Sequence, residues 1–148
     1  MTITRQSADF TFDANMQLKD AGLVAASAAA TVGGSGKIID VGNGVRIDAR
    51  AIVDVSAVET DSGDELYQVQ IQGSTDAAFA TGVVNLGVAL YGDSSKTNET
   101  VDSVSSRREV AFCNEFNGVL YRYLRGYTVV SGTVATGINY KCFIVQET

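Results

Sequence analysis

Histidine, tryptophan and proline are absent from the 148 residues of this chain, and cysteine occurs only twice. The missing histidine removes the Ser/His/Asp and Cys/His nucleophile systems, the commonest general base and the His-containing zinc sites. Most hydrolase and metalloenzyme readings fall with it. The missing tryptophan weighs against a sugar cleft built on large aromatic platforms, although seventeen acidic residues would always offer some carboxylate pair. Cys113 and Cys142 have neither a metal-ligand spacing nor a disulfide framework, and read as small buried hydrophobes. No apolar run approaches the roughly 18 residues that span a membrane as a helix. The start, Met1 to Asp9, is polar and lacks the basic-then-apolar order of a signal peptide, so synthesis and folding inside the cell are expected.

What is present is acidic. Eleven basic and seventeen acidic residues give a net charge of −6 and a pI near 4.5. That balance opposes global attraction to nucleic acid or to an anionic bilayer, because neutralising phosphates requires clustered Lys and Arg. Partners are expected to be proteins. Divided at Gly44 and Ser106, the chain carries −1, −7 and +2 in its three parts. An acidic middle and a basic end would attract each other between copies packed around a symmetry axis, or would simply be two solvated faces of one monomer.

A chain of this length supports one core, burying roughly 70% of the surface of its unfolded form. Its first 44 residues read differently from the rest. Short strand-like pieces at Asp9 to Phe12 and Met16 to Lys19 precede an Ala-rich run, Leu23 to Val32, then Gly33-Gly34-Ser35-Gly36 and a third apolar piece, Lys37 to Val41. The Ala run suits a short helix or an extended arm, and the glycines would end a helix abruptly. So little side-chain area gains little by packing on its own domain. Residues 1–44 are therefore expected to form an N-terminal arm, free to lie on a neighbouring molecule and dispensable to the folding of residues 45–148.

From Val45 the period becomes two. Val45, Ile47, Ala49, Ala51, Val53 and Val55 alternate with a polar set that only Ile52 interrupts. Tyr67, Val69 and Ile71 alternate with Gln68, Gln70 and Gln72, uncharged residues that suit a sheet surface contacted by something else. Val84, Leu86, Val88 and Leu90 are expected on one face of a third strand, and Val110, Phe112, Asn114 and Phe116 on one side of a fourth. Val119 to Val130 and Ile138 to Val145 complete the set around a turn at 131–137. Asn117-Gly118 between two strand patterns predicts a type I′ hairpin. The longest gap, Gly92 to Arg107, is a candidate interaction loop. Strands of this kind give an all-β fold, a β-sandwich of jelly-roll or Greek-key type with an N-terminal arm.

No constellation carries chemistry. Asp61-Ser62-Gly63-Asp64-Glu65 lacks the ligand order of an EF-hand and reads as a solvated acidic turn. Gly33-Gly34-Ser35-Gly36-Lys37 lacks the leading glycine of a phosphate loop. In Tyr121-Arg122-Tyr123-Leu124-Arg125-Gly126-Tyr127, alternation puts Arg125 on the side of the tyrosines and Arg122 on that of Leu124, a stripe better suited to a protein interface than to single-stranded nucleic acid.

The run from Gly118 to Thr133, closing with Ile138 to Val145, resembles the last strands of jelly-roll capsid cement (decoration) proteins of tailed bacteriophages, of the Bordetella-podophage type. Val69 to Phe79 is similar to the central strand and turn of that group. The resemblance covers roughly residues 45–146 and implies a homotrimer on the outside of a phage capsid that binds and stabilises the lattice of major capsid protein, without catalysis or cofactor. It places the chain on the virion surface after synthesis in the bacterial cytoplasm. The capsid or subunit contacts expected on this reading are Phe10, Phe12, Met16, Leu18, Tyr121, Arg122, Tyr123 and Arg125. A carbohydrate- or receptor-binding module of a virion is the alternative.

Overall fold

A computed structural model describes residues 12–92 and 106–146. Six short strands, β1 (Gln17–Lys19), β2 (Leu23–Val24), β3 (Ala28–Ala29), β4 (Thr31–Val32), β5 (Ser35–Gly36) and β6 (Ile39–Asp40), precede the long strands β7 (Asp48–Val58), β8 (Leu66–Ser74), β9 (Val84–Gly92) and β10 (Ser106–Cys113). A small hairpin, β11 (Glu115–Phe116) and β12 (Val119–Leu120), leads into β13 (Tyr123–Ser131) and β14 (Ile138–Gln146). No α-helix occurs among the described residues.

The protein is an all-β sandwich of two antiparallel sheets. One sheet has the order β1-β14-β7-β10 and the other β3-β13-β8-β9. Alternation drives the inner faces together. Ala49, Ala51, Val53 and Val55 of β7, Tyr67, Val69 and Ile71 of β8, and Ile138, Tyr140, Cys142 and Ile144 of β14 share one core. The Thr128 hydroxyl and the Tyr140 phenol hydrogen-bond inside it, joining the sheets. Burial is what drives the Cys142 thiol pKa up to about 12, as expected of an inert structural cysteine. At the Asn117-Gly118 turn both residues have positive φ, 50° and 76°, between paired Phe116 and Val119, the backbone that a type I′ hairpin requires.

Two face assignments change. The β8–β9 register slips between Ile71 and Gln72, so that Leu86 is bulged. Leu86 packs on the core, but beyond it the phase inverts: Ala89 and Tyr91 turn inward while Val88 is 42% exposed. The chain leaves its strand after Cys113, so Asn114 is buried whereas Phe116, on the separate hairpin, is exposed. Asn114 ties three segments together: its side-chain oxygen accepts from Ile47 N–H at 2.8 Å and its amide donates to the carbonyls of Val45 and Tyr121. Ile52 points outward yet is fully buried, paired in register with Phe143, whose ring meets Phe12 edge-on at 5.5 Å.

The largest difference concerns the N-terminal segment. The Ala-rich run is extended, and it lies along β13 of its own sandwich. Ser27 exchanges hydrogen bonds with Val130, Ala28 and Ala29 pair with Thr128 and Tyr127, Ala30 N–H donates to Gly126 O, Ile39 and Asp40 pair with Leu124 and Tyr123, and Val41 N–H donates to Arg122 O. β1 and β2 similarly line β14. Backbone pairing holds this segment, and small side chains are what the close approach permits: a Cβ on Gly126 would stand 3.0 Å from the Ala30 methyl. Two side chains anchor it. Leu18 is fully buried in the core, and Lys19, 5% exposed, donates to the carbonyls of Asp20, Gly22 and Tyr140 at 2.9–3.0 Å above the Tyr140 ring. Residues 17–41 are thus structurally continuous with the sandwich. Peptide hydrogen bonds supply what the sparse side-chain area could not.

Removing residues 1–36 is therefore expected to abolish the cooperative thermal transition rather than leave a folded β-domain. Leu18→Ala, which empties a core site, should cost about 3 kcal/mol and lower Tm by about 10 °C in a circular-dichroism melt.

Candidate functional site

The two outer faces of the sandwich differ in chemistry. The outside of the β1-β14-β7-β10 sheet is charged and internally paired. Arg107 grips Asp54 with two hydrogen bonds, and Arg50 meets Glu109 at 2.9 Å. Antiparallel register puts these residues opposite or diagonal to one another on adjacent strands. At the mouth of the sandwich, Arg46 contacts both Asp48 and Glu115 at 3.2 Å. Only Arg107–Asp54 joins an acid of the middle to a base of the end; in Arg50–Glu109 and Arg46–Glu115 the base comes from the middle and the acid from the end, so these pairs leave the charge split between the two parts standing.

The outside of the β3-β13-β8-β9 sheet is almost uncharged. Register aligns Leu90, Gln68 and Val129 in one row, Val88, Gln70 and Tyr127 in the next, and Asn85, Gln72 and Arg125 in the third. The glutamines form a ladder. Arg125 Nε donates to Gln72 Oε1 at 2.9 Å, Gln72 Nε2 to Gln70 Oε1 at 2.9 Å, and Gln70 Nε2 to Gln68 Oε1 at 3.1 Å. A guanidinium has no acceptor, so Arg125 compels Gln72 to present its oxygen, and the same sense passes down the row. Among the described residues each amide oxygen of the row is engaged, and each amide keeps N–H groups that the row does not use. The face is neutral in charge along most of its length and rich in donors.

Arg125 lies against two rings, its guanidinium carbon 4.4 Å from the Phe79 ring centroid and 5.2 Å from that of Tyr127. Phe79 reaches this position from a left-handed backbone, φ 53°, which costs a non-glycine residue about 1–2 kcal/mol. The surrounding loop sustains it. Asp76 accepts from Ala78 and Ala80 N–H at 3.0 Å each, and the Ser74 hydroxyl accepts from Asp76 N–H and donates to Thr81 O. Those backbone hydrogen bonds hold the Asp76 carboxyl below its ordinary pKa. Strain retained by so many hydrogen bonds marks a position under constraint.

The residues expected to make contacts are dispersed. Tyr123 and Arg125 lie half-buried on the donor-rich face. Arg122 stands before β13 begins, where the chain bends, so alternation does not carry it to the side of buried Leu124. Instead it forms a two-pronged pair with Asp40, at 2.8 and 2.9 Å, which raises its own pKa and lowers that of the carboxyl. Tyr121 is 9% exposed, turned inward against Gly73, and Leu18 is a core residue; neither presents a contact surface. Met16 packs on the core edge, and Phe12 is half exposed over Phe143 on the opposite face. Phe10 and nearly all of the Gly92–Arg107 loop lie outside the described residues. Phe79, Asp76 and Gln72 complete the Arg125 setting; of these the period-two pattern singled out Gln72 alone.

The acidic turn is not wholly solvated. Asp61 and Asp64 are exposed, whereas Glu65 is fully buried and accepts from Ser62 N–H at 2.7 Å. Asp64 braces Thr133 through its N–H and hydroxyl. Nearby, the Glu59 carboxylate accepts backbone N–H bonds from Ala135, Thr136 and Gly137 at 2.6–3.1 Å, fixing the β13–β14 loop. No cluster of His, Cys, Asp or Glu among the described residues is arranged to hold a metal ion. No protein-family model matches the chain, and no curated protein is similar to it.

The bonds from Thr136, Gly137 and Ala135 lower the Glu59 pKa from 4.5. A depressed carboxyl contributes stability that is present above its unfolded value and lost as pH falls through its folded value. Melting temperature should accordingly decline from about pH 4.5 downward. Glu59→Gln, which turns an amide N–H₂ toward backbone donors, should lower Tm at pH 7 and flatten this acid limb.

Proposed function

We propose that this chain is a structural virion protein that binds the outside of a phage capsid as a homo-oligomer and stabilises the lattice of major capsid protein. The observation that carries the reading is the outer face of the β3-β13-β8-β9 sheet. Its glutamine ladder, Tyr123, Tyr127 and the ring-clamped Arg125 form a flat, ordered surface of the composition found at protein contacts, where Tyr and Arg supply anchors and charge is sparse. Side chains already fixed by hydrogen bonds lose little entropy when a partner covers them. The face serves as the capsid or subunit contact. The strand-and-turn resemblance of residues 45–146 to capsid cement proteins supplies the nature of the partner.

Durable attachment does not require one strong contact. Several weak contacts held on one rigid oligomer act at high effective concentration and exceed a single affinity by about 10² to 10⁴. A sandwich with laced edges suits that arrangement, since it keeps the contacts in register without reordering.

Purified protein mixed with expanded capsids of its phage should cosediment with them and raise their resistance to heat. Absence of the protein from the capsid pellet overturns the reading, and selective binding on a glycan array would establish the receptor-binding alternative in its place.

A further inference from the structure

Among the described arginines, Arg46, Arg50, Arg107 and Arg122 each sit against a carboxylate. Arg125 does not. Its Nε is used by Gln72, the rings of Phe79 and Tyr127 lie against its guanidinium, and among the described residues no carboxylate meets it. A guanidinium so placed keeps its Nη edge for a partner, and Arg matches a carboxylate best because two parallel N–H bonds can form. The row beside it offers amide N–H groups, ending in the Gln68 amide, whose oxygen alone is engaged among the described residues. A partner for this face must bring a carboxylate surrounded by further acceptors.

The same chain carries one at the other end of the sandwich. Asp61 is exposed in a tight turn closed by a Gly63 N–H bond to Thr60 O. The turn is braced on both sides, by Glu65 accepting from Ser62 N–H and by Asp64 engaging Thr133. Asp61 itself is left pointing out with the exposed Ser62 beside it. The turn precedes the first residue of β8, whereas Arg125 pairs with Gln72 near the last. Six residue steps of strand, Leu66 to Gln72, separate the end of the turn from Arg125 by about 20 Å, too far to meet within one molecule. Complementary sites at opposite ends of one body make a head-to-tail contact, and such contacts close into rings when the rotation between copies permits.

We infer that the donor-rich face is a subunit contact whose occupant is a second copy of this chain, with the Asp61 turn of one copy seated on Arg125 and the glutamine row of the next. The inference deepens the oligomeric part of the proposed function and rests on that part alone.

Sedimentation velocity on the full chain, without capsids, tests it. The wild-type protein should be oligomeric, and Arg125→Glu and Asp61→Arg should each weaken association at least tenfold while circular dichroism stays native. The double variant, Arg125→Glu with Asp61→Arg, should recover association. Arg125→Lys, which retains the charge without the fork, should fall between. A monomeric wild type, or association that survives Arg125→Glu in a folded protein, or a double variant as weak as the singles, overturns the inference. Capsid cosedimentation of the same proteins keeps the two ideas apart. A wild-type monomer that pellets with capsids defeats this contact and the oligomeric part of the proposed function while leaving capsid binding standing, and an oligomer rescued by charge exchange that never pellets defeats the capsid reading alone.

Discussion

Peptide groups along the free sides of β13 and β14 constrain everything else in this molecule. Both strands lie on one side of the sandwich, and without a neighbour each would offer a row of unpaired N–H and C=O groups, a template for aggregation. Residues 17–41 satisfy them, running first along β14 and then along β13. At position 30 a side chain larger than Ala would collide with Gly126, and the hairpin of β4 and β5 takes up the chain between the two stretches of pairing. Anchorage comes from Leu18 in the core and from Lys19, a buried ammonium whose three donors all end on carbonyl oxygens. Burial lowers the pKa of that lysine, so its charge is kept only because the backbone solvates it in place of water.

With the edges closed, polarity is sorted between the outer faces. On one face, charges of both signs are matched across adjacent strands, Arg107 with Asp54 and Arg50 with Glu109. Exposed pairs of this type add little stability, at most about 1 kcal/mol each, but they leave a surface with little unsatisfied field. On the other, one cation and a row of amides replace ion pairs. The direction of that row follows from a single chemical fact, that guanidinium only donates. One residue of β13, Arg125, therefore orients a row of amides running along β8, and the strained Phe79 loop keeps that residue in place.

Much of this was readable before any coordinates. Alternation in β7, β8 and β14 identifies their inner faces because the side-chain period of a strand is two and burial selects one phase. The Asn117-Gly118 hairpin follows from the tolerance of both residues for positive φ. Alternation also placed Gln68, Gln70 and Gln72 together on one outer face, where they form the amide row. Each of these signals is local, carried by neighbours a few residues apart.

What only the tertiary structure decided lies where local pattern and global packing part. Leu86 bulges because register in β9 answers to β8, and this sends Val88 outward despite an unbroken apolar alternation. Tyr121 turns inward and Arg122 outward because the chain bends at the end of the β11–β12 hairpin, a change of phase that no spacing encodes. The Ala run is an edge strand because β13 lies beside it, although nearly a hundred residues separate the two in sequence. The sequence by itself determined an acidic, all-β chain without histidine chemistry, since composition and period two suffice for that. Which residues are surface, which pairs neutralise one another and which arginine keeps a free edge depended on contacts between distant strands, and those exist only once the sheets have closed.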